Sequence, residues 1–184
     1  AGDGVAEWQV LALDAAGTAS FLSEPVRVGP PAATLVVRPA GLPLETVHGG
    51  FSGAGYVTLA RDRHVDVTLR VRVPRAGWYA LDARYANGNG PVNTEDKSAL
   101  RTLLVDGRER GVLVMPQRGA ARWTDWGYTN PVRVRLAAGA HTITLRYTPR
   151  DENMHRRVNT ALLDHVRLAR VAPLDAGAGP RPRR

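Results

Sequence analysis

Three aromatic residues crowd into Trp123-Thr124-Asp125-Trp126-Gly127-Tyr128-Thr129-Asn130, a polar stretch with a glycine in it. Aromatic rings in a loop offer flat apolar faces with polar handles, which suit the C–H faces of sugar rings. At this spacing Trp123 and Trp126 are expected on different faces, one plugging the core and one turned outward. Asn87, Asn89, Asn93, Asn130, Asn153 and Asn159 add amides that donate and accept, the chemistry that reads hydroxyl groups. Asparagine is equally a turn residue, so each has a second reading. A hard cation is the third chemistry on offer. Glu45, the backbone of Gly49-Gly50-Phe51-Ser52-Gly53 and the distant Asp164 supply oxygen ligands of the kind calcium takes.

Catalytic patterns are weaker. Gly50-Phe51-Ser52-Gly53-Ala54 looks like a nucleophile elbow but lacks the final glycine in register, and no helix follows. His48, His64, His141, His155 and His165 show no paired metal spacing. The acids Glu95-Asp96 and Asp151-Glu152 are adjacent in loops, whereas glycoside hydrolysis needs two carboxyls from separate elements facing across ~5–9 Å. Gly88-Asn89-Gly90 is too short for a dinucleotide fingerprint. An autonomous glycan-active enzyme is therefore the minor reading.

Composition narrows the partners. The 184 residues are 43% hydrophobic and carry a formal charge of +8, with no cysteine. A core is affordable, and a disulfide framework or thiolate zinc site is excluded. Lys97 is the single lysine, and the arginines alternate with apolar residues, as in Leu69-Arg70-Val71-Arg72-Val73 and Val132-Arg133-Val134-Arg135-Leu136. That places arginine on the wet face of half-buried strands rather than in a nucleic-acid footprint. No apolar run approaches the ~20 residues of a membrane span. The start Ala1-Gly2-Asp3, with neither initiator Met nor signal pattern, is what a processed or excised piece would show.

These residues need strands to position them. Alternation marks strands at Trp8–Asp14, Glu24–Val28, Leu35–Val37, Tyr56–Leu59, Val65–Val73, Trp78–Tyr85, Leu100–Val105, Gly111–Met115, Val132–Leu136, His141–Tyr147 and Leu162–Val171. Turn formers separate them at Pro74–Gly77, Asp106-Gly107 and Ala137–Ala140. The Trp123–Asn130 stretch is expected to be a loop. In Trp78–Tyr85, Tyr79, Leu81, Ala83 and Tyr85 share one side, and Trp78, Ala80 and Asp82 the other. The pattern predicts an all-β sandwich of roughly eight to ten antiparallel strands, with a short extra N-terminal hairpin.

Two resemblances organise the chain. Val10, Ala12, Asp14, Gly17, Ser20, Ser23, Pro25, Val26 and Val28 resemble the last two strands of a fibronectin type III domain. This gives residues 1–29 as the end of a truncated domain, 30–33 as a linker, 34–172 as the main domain and 173–184 as a disordered tail. Within the main domain Gly50-Phe51-Ser52-Gly53-Ala54-Gly55-Tyr56-Val57, Ala76-Gly77-Trp78-Tyr79-Ala80-Leu81, Arg84-Tyr85-Ala86-Asn87-Gly88, Leu104-Val105-Asp106-Gly107, Ala138-Gly139-Ala140-His141-Thr142-Ile143 and Leu163-Asp164-His165-Val166 follow in order. This succession resembles carbohydrate-binding modules of families 35 and 6.

The resemblance implies a β-jelly roll with a structural Ca2+ near its first and last strands, at Glu45, Ser52, Gly53 and Asp164. It implies sugar binding at one rim, by Asn87, Trp123, Trp126 and Asn153 or Asn159, with Arg84 or Lys97 assisting if the sugar is acidic. The usual acid-x-acid pair near the start is reduced to Glu45. The implied function is a non-catalytic module that binds oligo- or polysaccharide and is covalently attached to the catalytic domain of a secreted, periplasmic or cell-surface bacterial glycoside hydrolase. The alternative is a structural accessory sandwich without sugar binding. No nucleic-acid partner is expected.

Overall fold

The computed structural model describes residues 34–91 and 96–171, together with the backbone of two short strands, β1 (Ala6–Trp8) and β2 (Val26–Val28). β1 and β2 pair antiparallel, with Trp8 opposite Val26. The fibronectin-like residues 9–25, the linker and the tail beyond 171 lie outside the described residues.

The main domain strings together β3 (Thr34–Val37), β4 (Val57–Leu59), β5 (Asp66–Val73), β6 (Gly77–Ala86), β7 (Ala99–Val105), β8 (Arg108–Met115), β9 (Trp126–Tyr128), β10 (Val132–Leu136), β11 (Gly139–Arg146) and β12 (Ala161–Val171). Its helical content among the described residues is one 3-10 turn, Pro149–Asp151. One antiparallel sheet runs β10-β6-β12-β3, with β4 added on β12 and β9 on β6; the other runs β5-β11-β7-β8. This is the expected β-sandwich. No helix among the described residues is long and apolar enough to cross a membrane.

Alternation explains the layers. In β5, Val67, Leu69 and Val73 are buried, while Asp66, Thr68, Arg70 and Arg72 face water. In β6, Tyr79, Leu81, Ala83 and Tyr85 enter the core against Leu103, Ile143, Leu145 and Leu168. Each large apolar side chain so buried contributes about 1.5–3 kcal/mol. On the outward side of β6, Ala80, Asp82 and Ala86 are buried too, Asp82 under Arg167 in a two-pronged ion pair at 2.9 and 2.6 Å. Asp106 and Gly107 take positive φ, 51° and 74°, in the tight turn joining β7 to β8.

Two features depart from simple alternation. The Trp126–Tyr128 segment is a strand, not a loop: it pairs with the edge of β6, Trp126 opposite Ala86 and Tyr128 opposite Arg84. In β12 the register against β6 shifts between Leu163 and His165. Asp164 is the extra residue of a β-bulge, which lets Leu163 and Val166 both face the core.

Candidate functional site

A second, smaller core forms at one end of the sandwich. Tyr56, Ala86 and Leu162 are its buried members, with Phe51, Trp123 and Trp126 half-buried against them. Pairing with β6 aims Trp126 at this cluster. Its ring lies 5.7 Å from Tyr56, and its indole N–H donates to the Gly49 carbonyl at 2.8 Å. The Arg84 guanidinium sits 5.3 Å from its centroid. Trp123 arrives by another route. A turn with Ala121 at φ 58° folds it back onto Gly88, where a Cβ would come within 2.7 Å of the indole. His48 stacks on it at 5.8 Å and 26°. The expectation of one tryptophan in and one out is therefore corrected: both lie on one cluster and both keep an exposed part. Spacing failed because Trp126 sits on a strand and Trp123 on a turn, so no single periodicity relates them.

Across β9 from the cluster, on the face of Tyr85 and Gly127, is an open groove of about 520 Å³, lined by Tyr85, Pro116, Gln117, Arg118, Asp125, Gly127 and Tyr128. Arg118 pairs with Asp125 at 3.1 Å and lies 5.9 Å from the Tyr85 centroid. Burial acts to lower the Arg118 pKa, but hydrogen bonds with Tyr85 and Asp125 outweigh it and raise it. Arg118 Nε is buried without a hydrogen-bond partner. A Cβ at Gly127 would run into the guanidinium, so a side chain there would displace Arg118 from this position. Sequence reasoning did not single out Gln117, Arg118 or Asp125. The available signal was Gln117-Arg118-Gly119, a polar turn just ahead of the tryptophans.

The asparagines are placed differently from the expectation. Asn87 is fully buried: its amide N–H groups donate to the Lys97 and Met115 carbonyls, and its oxygen accepts from the main chain and side chain of Asn89. It holds the loop and has no face for a sugar. Asn159, 2% exposed, accepts from the Leu100 N–H and Arg101 and donates to the Asp151 carbonyl. Asn153 donates to the Ser98 and Val158 carbonyls and accepts from the Arg156 N–H. Lys97 enters these contacts through its main chain, its N–H donating to Gln117 Oε1 at 2.6 Å. These amides answer backbone groups left by the loops. Asn93 lies outside the described residues.

Beneath them Arg101 is completely buried, bonded to the Leu100, Ala60 and Asn159 carbonyls and lying 5.3 Å from the Tyr147 centroid. Burial lowers its pKa to about 10, against the opposing pull of Asp151 and Tyr147, so it stays charged at neutral pH.

The residues proposed to hold calcium only partly meet. Ser52 and Asp164, 112 residues apart, are joined: the Ser52 N–H donates to Asp164 Oδ2 at 3.0 Å and its hydroxyl lies 3.1 and 3.0 Å from the two carboxylate oxygens. The Glu45 carboxylate instead forms an ion pair with Arg63 at 2.8 Å. Gly53, at φ 82°, makes room for Arg38, whose Nη2 donates to Ser52 Oγ at 3.1 Å. Asp164 is fully buried and ion-paired with Arg84. Among the described residues no group of three or more His, Asp and Glu side chains is gathered for a metal. This donor set does not fit calcium.

Ser52, His165 and Asp164 also do not form a nucleophile triad. The carboxylate binds the serine directly, and both lie at the same ring nitrogen, His165 Nδ1, at 3.1 and 3.2 Å. In a working triad the acid and the serine take opposite nitrogens. Asp151 is likewise structural, its carboxylate buried on Thr102 and Thr148.

No family model matches the chain. A cycloisomaltooligosaccharide glucanotransferase of Niallia circulans is 32% identical over 104 residues, which is 56% of this chain and 10% of that protein. The structure of the Paenibacillus cycloisomaltooligosaccharide glucanotransferase complexed with cycloisomaltoheptaose superposes with a TM-score of 0.56 and 27% identity, over 74% of this chain and 17% of that one. The CBM35 of Cellvibrio japonicus Abf62 superposes at 0.55 and 21% identity, over 73% of this chain and 93% of that module. The chain thus spans a small part of the enzymes it matches and almost the whole of a family 35 module. Its fold is a CBM35-like β-jelly roll, a type of domain that occurs in glycan-active proteins.

Proposed function

We propose that the chain is a non-catalytic carbohydrate-binding domain that holds an attached glycan-active enzyme on its oligo- or polysaccharide outside the cytoplasm. The observation that carries this is the half-exposed Trp123–Trp126–His48 surface, with the Arg118–Asp125 groove on the other face of β9. Trp123 and Trp126 supply faces for stacking, and Arg118 and Asp125 supply hydrogen bonds to hydroxyls. Tethering raises the effective concentration of the enzyme at its substrate. The names of the similar enzymes make α-linked isomaltooligosaccharides the first ligand to test.

The test is a glycan array and calorimetric titration of the full chain, beside Trp126→Ala. Saturable binding that the substitution weakens supports the assignment. Binding unaffected by replacing both tryptophans sinks the site, and no binding to any glycan sinks the function. The alternative is a structural accessory role, in which exposed apolar side chains such as Met154 (73%) and Val47 (82%) meet the attached domain. In that case burial of the tryptophans against the attached domain replaces glycan binding.

A further inference from the structure

The surroundings of Asp164 are built for a cation, and the protein supplies it. A buried carboxylate is strongly unfavourable unless paired and hydrogen-bonded. Calcium would answer that need with six to eight oxygen ligands. Here the oxygens are already taken by N–H and O–H donors of the protein. Arg84 Nη1 bonds Asp164 Oδ2, and Arg84 Nη2 donates to the Gly50 carbonyl at 3.0 Å. Arg38 takes the Ser52 hydroxyl at 3.1 Å and approaches its carbonyl at 3.4 Å. Arg38 directly follows β3, whose Val37 pairs with Val166 of β12, so a base stands at this end of the strand pair. One carboxylate, with Arg84 bonded to it and Arg38 on the serine that also bonds it, leaves a positive site, which repels a divalent ion.

We propose that Arg84, backed by Arg38, is the built-in cation of this jelly roll. It clamps the Gly50–Ser52 loop onto the bulge of β12, where the family resemblance implies calcium. Stability is therefore indifferent to calcium and to chelators. The proposal is independent of glycan binding, because its readout is unfolding of the protein without ligand.

The test is thermal unfolding of the full chain in millimolar CaCl2 and in EDTA, with terbium luminescence as a second probe. Trp126, against Arg84, is placed to sensitise terbium bound there. A calcium site at a hundredfold excess over its Kd would raise Tm by roughly 5–10 °C. The expected results are a Tm equal in both buffers and no saturable terbium signal. Arg84→Gln is expected to lower Tm by about 6–15 °C. If that variant does not fold, Arg84→Lys, which keeps charge but loses the fork, shows the loss in smaller measure. A calcium-dependent rise in Tm, a saturable terbium signal, or an Arg84 variant with unchanged Tm overturns the proposal.

Discussion

Two polar regions at the same end of the sandwich use their side chains in opposite ways. Around Arg101 and Asn159 the amides are turned inward, chiefly onto main-chain groups. Around Trp123 and Trp126 the main chain is turned onto the side chain, as where Gly49 accepts from the indole, and ring surface remains open. The first region holds loops together and the second displays a face. Loop crossings leave backbone donors and acceptors outside the ladders, and asparagine satisfies them. A wealth of asparagine at a rim therefore reflects the number of loop crossings there more than the hydroxyls to be read.

The largest effect expected from this contrast is for Asn159→Ala. It strips a partner from the buried Arg101 and from the Leu100 N–H, so stability falls by about 3 kcal/mol or more in urea unfolding. Glycan affinity of the protein still folded should not change; a normally stable variant that lost binding would reverse the contrast. Next is Trp126→Ala, for which about a 30-fold loss of glycan affinity is expected. A smaller effect belongs to Gly88→Ala. Its Cβ displaces the Trp123 ring, costing about 1–2 kcal/mol and shifting tryptophan emission. A variant with unchanged emission would show that the ring has another resting place.

The smallest effects lie in the pH dependence, and they have opposite signs. His165 has its pKa lowered, first by burial and then by Arg38 and Arg84, against the pull of Asp164. The unfolded chain binds a proton near pH 6.5 that the folded chain refuses. Its contribution is present above that pH and lost as pH falls through the folded value. His141 has its pKa raised, chiefly by its hydrogen bond to Asp106. Its contribution is complete below pH 6.5 and lost as pH rises through the folded value. Tm against pH for His165→Gln should lose the acid-side decline, and for His141→Gln the neutral-side decline. If either curve matches the parent, that histidine does not contribute.

The sandwich was legible where burial has a period. Val67, Leu69 and Val73 against Arg70 and Arg72, and Tyr79, Leu81, Ala83 and Tyr85, fall where alternation puts them. The Asp106-Gly107 turn follows from its local chemistry. β9 was not legible, because three residues around a glycine hold their strand form only against the edge of β6. The residues of the rim were legible in type but not in role. Whether Asn87 meets a carbonyl or a ligand depends on Lys97 and Met115, which arrive from other loops. The partner of Asp164 was likewise hidden, since Arg84 lies 80 residues away along the chain.

The bulge in β12 gives this arrangement a further property. Leu162 and Leu163 pair with β4 before it, and Val166 to Ala169 pair with β3 after it. The strand is thus two half-strands read in different phases, with Asp164 as the spacer between them. Deleting that one residue would merge the phases while leaving Leu163 and Val166 facing the core. The buried charge is encoded as an inserted letter, and a change in length by one residue could remove it without rewriting either half.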